Sequence, residues 1–246
     1  MSTAGVLLLA DSRLPSGGHG HSGGVEALVD RGLLASVEDL ALFLDARIRT
    51  AGLVTASFAA AANAVAASTV AAALVSGKWS YETTYHSRVW SCWDAAVEVR
   101  TPVAALREAS RAQGAALLRT ALLAWPDARP LHELAELGRP HQPLVLGAAS
   151  AAAGATPGQA AALSVHQLAG GAASAAVRLL GLDPLRVAAV QARLAPVADR
   201  VSAEATAAAE LAVQAEDPDL LPADATPLPE ILAELHHASE VTLFAS

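Results

Sequence analysis

The chain has 246 residues, is 53% hydrophobic but only 4% aromatic, and carries a formal net charge of −8. That charge argues against a general nucleic-acid binder, which would show a basic patch. A single cysteine, Cys92, excludes an internal disulfide and a cysteine-only zinc cage, as suits a reducing cytosol. Much of the apolar fraction is alanine, the strongest helix former, which buries little area. A core built from it needs closely packed helices.

The N-terminal run Val6 to Ala10 is apolar but halted by Asp11, and no positive segment precedes it, so a signal peptide is not expected. Leu14-Pro15 then opens a loop with five glycines in eight residues: Gly17, Gly18, Gly20, Gly23 and Gly24. Glycine loses the most backbone entropy on folding, so this density implies a backbone that needs it. A short helix follows from Gly24 and ends near Gly32. Ser36 with Asp39 forms a capping-box pattern for the next helix, and Val37, Leu40, Ala41, Leu44 and Ile48 share its buried face. Gly52 precedes an uncharged helix running to about Val75.

Five of the nine aromatics (Trp79, Tyr81, Tyr85, Trp90 and Trp93) fall between Trp79 and Val99. They read as the anchor of the core, with an exposed partner patch as the alternative. Thr101-Pro102 is expected to start a further helix, with Pro102 at its first position and Pro126 beyond its end. Short segments over Leu131–Leu137 and Leu144–Ala153 come next, separated by a break from Gly138 to Pro143. Thr156 with Gln159 is a second capping box; its helix runs to Leu180 and stops at Gly181. Asp183-Pro184 begins another, containing Pro196 and reaching about Val213. Gln214 to Thr226 reads as an acidic, proline-rich linker or exposed loop, and Pro227 to Ser239 as the last helix.

No stretch alternates with period two. The expectation is an all-α, single-domain bundle of about nine or ten Ala-rich helices over 1–246, with 1–24 as N-terminal segment and loop and 214–246 as linker, last helix and tail. Ala51–Gly77 and Pro140–Val177 carry no charge and are long enough to span a bilayer. Their Ala, Ser, Thr and Gly content favours buried core helices over membrane spans.

Few patterns carry chemistry. Gly20-His21-Ser22-Gly23-Gly24 matches G-x-S-x-G, but that elbow belongs after a strand of a parallel sheet, so a hydrolase using Ser22 is the weaker reading. His19 and His21 are candidate metal ligands, with His236 and His237 as further ones; solvent-exposed loop residues are the plainer reading, because no carboxylate accompanies them in the loop. Lone histidines at His132, His141 and His166 read as hydrogen-bonded structural residues. Arg107, Glu108 and Arg178 are charges within alanine-rich helices, open to a solvated face, an intramolecular ion pair or an interface. No nucleotide-binding P-loop occurs.

The stretch Leu9-Ala10-Asp11-Ser12-Arg13-Leu14-Pro15-Ser16-Gly17-Gly18-His19-Gly20-His21-Ser22-Gly23-Gly24-Val25-Glu26 resembles the signature L-A-D-S-x-L-P-x-G-G-F-x-x-S-x-G-L-E of the UreF family of urease accessory proteins. Asp94 followed by Leu106-Arg107-Glu108-Ala109-Ser110, Gln113-Gly114 and Leu117-Leu118 is similar to its central helix. Gly147, Gly154 and Pro157, then Ala176-Val177-Arg178-Leu179 with Asp183-Pro184, resemble the helices after it. The end of the chain is similar to the family tail H-x-x-x-x-x-R-L-F-x-S. His19 and His21 replace an aromatic pair of the loop, Val25 replaces a leucine, and Thr242 replaces the tail arginine.

The resemblance implies an all-α, non-catalytic, cytoplasmic homodimer. It would bind the accessory protein UreD (also called UreH) and recruit the GTPase UreG for nickel insertion into apo-urease. Nickel is then cargo and GTP belongs to the partner, so the chain needs no cofactor of its own; neither nucleic acid nor membrane is an expected partner. A nickel-binding metallochaperone role through His19 and His21 is the further alternative. Partner-binding positions implied on this reading are Asp11, Ser12, Pro15, Gly17, Gly18, Ser22, Gly24, Glu26, Arg107, Glu108, Gly114, Arg178, Leu243 and Phe244.

Overall fold

The computed structural model describes residues 3–18, 21–76 and 83–237. Their helices are α1 (Thr3–Ala10), α2 (Val25–Asp30), α3 (Val37–Arg47), α4 (Leu53–Ser76), α5 (Thr83–Val99) and α6 (Ala104–Ala124). They continue as α7 (Arg129–Ala135), α8 (Gln142–Ala152), α9 (Pro157–Leu180), α10 (Pro184–Gln214) and α11 (Pro227–His237). A π turn over Ile48–Gly52 joins α3 to α4 without a break, so the eleven segments make ten rods, and no strand occurs among the described residues. The all-α expectation holds.

Local chemistry explains several ends. Ser36 Oγ accepts from Asp39 N while the Asp39 carboxylate accepts from Ser36 N, the reciprocal capping box expected there. Thr156 and Gln159 do the same for α9, which ends on left-handed Gly181.

The core is organised around α4. Ala56, Ser57, Phe58, Ala59, Ala60, Ala61, Ala62 and Asn63 are all buried, because α8, α9 and α10 surround that helix. The α8 approach is close enough to require glycine. A Cβ on Gly147 would lie 2.6 Å from Ala62 Cβ and nearer still to Ala59 O. Beside it, buried Asn63 Nδ2 donates to Ser150 Oγ at 2.9 Å and to Ala155 O at 3.2 Å. Rings supply the area that alanine lacks: Trp90 is fully buried and its indole donates to Glu133, and Trp93 meets Phe58 edge-on. Trp79 and Tyr81 lie outside the described residues. A second apolar cluster, built from α2, α3, the end of α9 and the start of α10, meets the first at Ala169 and Leu194.

The apolar run Val6–Ala10 forms the end of helix α1. Two helix starts are corrected. Helix α6 begins at Ala104, not at Pro102: Val103 before it is extended, and the Arg107 guanidinium donates back to the Thr101 and Pro102 carbonyls. Helix α8 begins at Gln142, inside the expected break. Of the two readings of 214–226, the exposed loop fits better than a free linker: most of its residues are exposed, but Arg100 donates to the carbonyls of Asp219, Leu221 and Pro222 around a short 3₁₀ turn, Pro218–Leu220, and docks it.

The rod over Val37–Ser68 is apolar and long enough to cross a membrane, but 72% of its most apolar window is buried inside this fold. That burial is the mark of an interior helix. The other uncharged stretch is divided between α8 and α9.

Candidate functional site

The glycine loop is held by α6, and the helix that leads into it, α1, is held by α9. Thr120 Oγ1 on α6 donates to Pro15 O at 2.9 Å, and Gln167 Nε2 on α9 donates to Leu9 O at 2.9 Å. Within it, Arg13 grips the Asp11 carboxylate as a fork, Nε to Oδ1 at 3.0 Å and the terminal nitrogen to Oδ2 at 2.6 Å. These hydrogen bonds, with the guanidinium charge, pull the Asp11 pKa down to about 2.

Two glycines show why the loop is so rich in them. Gly17 has φ +79°, and a Cβ there would stand 3.1 Å from Ala116 Cβ on α6. Gly24, at φ +89°, is the residue from which α2 starts. Both conformations are strained for any residue with a Cβ.

Loop, α3, α4, α6 and α9 enclose a cleft of about 300 Å³. The structure brings Asp11, Ser12, Gly18 and His21 to it, together with Arg178 from α9. Ser22, Gly24 and Glu26 point inward and are buried, so they shape the loop from beneath. Pro15 and Gly17 are exposed on the rim. His19, Leu243 and Phe244 lie outside the described residues, and nothing is said of the side chains of His236 and His237.

Arg107, Glu108 and Gly114 belong elsewhere, to a polar knot between α5, α6 and the entry to α8. Gly114 is packed against the 140–142 backbone, where a Cβ would overlap Pro140 O. Arg107 Nε pairs with Glu98 at 2.9 Å, and Glu108 pairs with Arg139 at 2.6 Å on the surface. Of the three readings open for these two charges, the intramolecular ion pair is the one observed.

The centre of this knot is His141, fully buried as the residue preceding α8. Its Nδ1 is 3.0 Å from Ser110 Oγ, its Nε2 is 2.9 Å from Glu98 Oε2, and its backbone N–H donates to Asp94 at 2.9 Å. Arg111 spans Asp94 and Glu98 and also donates to Arg139 O. Burial drives the His141 pKa below its ordinary value, against the pull of Glu98 and Asp94. Burial opposes the Glu98 charge, but hydrogen bonds from Arg111 and His141 outweigh it and the Glu98 pKa falls. His132 is likewise structural, with Nε2 2.7 Å from Pro126 O, whereas His166 is exposed at the cleft.

As chemistry, the loop offers little. Ser22 is buried and its Oγ has no hydrogen-bond partner among the described residues, so no general base among them is in place beside it. No three His, Cys, Asp or Glu side chains gather in a metal-holding group among the described residues.

Comparison with known proteins decides the family. Residues 34–195 match the family model UreF. A urease accessory protein UreF from Mycobacterium sp. (strain JLS) is 45% identical over 98% of this chain and 97% of its own length. The chain belongs to the UreF family. The UreF of Mycolicibacterium vanbaalenii is 43% identical over all of this chain and 99% of its own, and that of Mycobacterium marinum 38% identical over the full length of both. The family model begins at residue 34, after the glycine loop, whereas the full-length relatives align across the loop as well.

Sequence reading missed two residues of the UreF fold. Arg47 closes the α3 face that carries Leu40 and Leu44, where its spacing three residues beyond Leu44 was the available signal. Arg111 gave none, because its partners lie in another helix.

Proposed function

We propose that this UreF chain is a non-catalytic scaffold of urease maturation, which binds a UreD (UreH)-type accessory protein and recruits a UreG-type GTPase for nickel insertion into apo-urease. The observation that carries this reading is 45% identity, over nearly the whole of both chains, to a protein named as a urease accessory protein. A scaffold must present a surface of fixed shape, and the glycine loop, tied to α6 at Pro15 and entered from a helix tied to α9 at Leu9, offers such a surface. Nickel is then cargo passed within the assembly, and nucleotide chemistry belongs to the GTPase. The chain works on this reading as one cytoplasmic unit and as a homodimer.

The test is light scattering after size exclusion, with the chain alone and mixed with the UreD- and UreG-like proteins of its own organism. A dimer that shifts into a larger complex is expected. A monomer that ignores both partners overturns the proposal.

A further inference from the structure

Arg47 is a charged residue whose Nε the packing among the described residues leaves without a partner. It is the last residue of α3, directly before the π turn, and its side chain reaches the cleft beneath the glycine loop. Its Nε is shut off from solvent and has no hydrogen-bond partner among the described residues. No carboxylate among them comes within ion-pair distance of the guanidinium. Glu230 favours the charge from further away, while its own carboxylate accepts from Thr226 N at 2.8 Å. Phe43 covers one face, its ring centre 5.8 Å from the guanidinium carbon, but a ring face leaves the in-plane N–H groups unused.

Desolvation drags the Arg47 pKa down to about 10, although the residue as a whole is only partly buried and it is the Nε that is closed to solvent, so the group keeps its charge at neutral pH at a cost. A buried guanidinium normally offsets that cost with a forked contact to an oxyanion. The loop leaves room for one. A Cβ on Gly23 would stand 3.5 Å from a terminal nitrogen of Arg47, so glycine keeps that edge of the fork uncovered. Gly23 and Arg47 line the same cleft of about 300 Å³, joined by Ser174 and Arg178 of α9. That volume is at the small end of ligand pockets.

We infer that this cleft is a binding site for a small oxyanion, a carboxylate or a phosphate, held by the Arg47 fork beneath Gly23. Asp224 and Glu230 line the same cleft and disfavour a polyanion, so the site suits a single small anionic group. The inference stands apart from the role in urease maturation, since it needs only this chain.

The test is thermal unfolding of the full chain in chloride buffer, titrated with inorganic phosphate or with acetate at constant ionic strength. The comparison includes Arg47→Met and Arg47→Lys. The wild-type midpoint is expected to rise saturably with at least one oxyanion, and the stronger responder identifies the source. Arg47→Met, which removes an unpartnered charge, is expected to match or exceed the wild type in chloride and to lose the response. Arg47→Lys is expected to bind about tenfold more weakly, because an ammonium lacks the fork. This second variant carries the comparison if the first does not fold. No saturable response to either ion, or an undiminished response in the variants (an adventitious ion only), overturns the inference.

Discussion

His141 Nε2 lies 2.9 Å from Glu98 Oε2, joining the fully buried entry of α8 to a more exposed carboxylate in the last turn of α5. The pair makes stability depend on pH with a definite sign. His141 has a folded pKa below its ordinary 6.5, so as pH falls through 6.5 the unfolded chain takes up a proton that the folded chain resists. Stability is then lost on the acid side of that value. Glu98 adds in the same direction at lower pH, since its lowered pKa contributes stability above the ordinary carboxylate range that disappears on protonation. Urea midpoints measured at about pH 8 and about pH 5.5 are expected to fall, and His141→Gln to flatten the slope while costing roughly 1–2 kcal/mol at the higher pH. An unchanged slope in the variant would assign the pH dependence to other groups.

Two glycines in neighbouring helices should respond oppositely to the same change. Gly147→Ala drives a methyl into Ala59 and Ala62 of α4 and is expected to destabilise by about 1–3 kcal/mol. Gly171→Ala, within α9 where a Cβ meets nothing within 4 Å, is expected to stabilise by about 0.5–1 kcal/mol. Denaturant unfolding of both variants checks the contrast. Equal effects would mean that α8 can draw back from α4.

Ser22 is a buried hydroxyl without a partner among the described residues, so Ser22→Ala removes an unsatisfied group. Stability is expected to be unchanged or to rise by about 1 kcal/mol. Assembly with the urease partners should be untouched. An esterase activity of the wild type that disappears in this variant would restore the hydrolase reading.

Gly17 joins a left-handed backbone to close contact with α6. Gly17→Ala is expected to cost about 1 kcal/mol or more in stability and to loosen the loop from Ala116. If the loop is a docking surface, complex formation with the UreD- and UreG-like proteins should weaken while the oligomeric state of the chain alone stays the same. Wild-type complex formation by this variant would remove the loop from the interface.

The sequence by itself determined what short-range physics decides. Helix content follows from alanine, and the two capping boxes and the Gly181 stop depend on residues three or four apart, so Ser36–Asp39 and Thr156–Gln159 were legible as written. The glycine loop was legible as costly, and its family pattern as UreF. Tertiary structure decided whatever joins distant segments. Arg111 meets Asp94 across 17 residues and His141 meets Asp94 across 47, and nothing local marks such partners. Arg100 turns an apparent linker into a docked turn by the same long reach. Only the packing of α3 and α9 around the loop closes Arg47 Nε to solvent and divides the motif into Ser22, Gly24 and Glu26 beneath and Asp11, Ser12 and Gly18 on the cleft. Burial and desolvation belong to the whole fold, and so does the chemistry that rests on them.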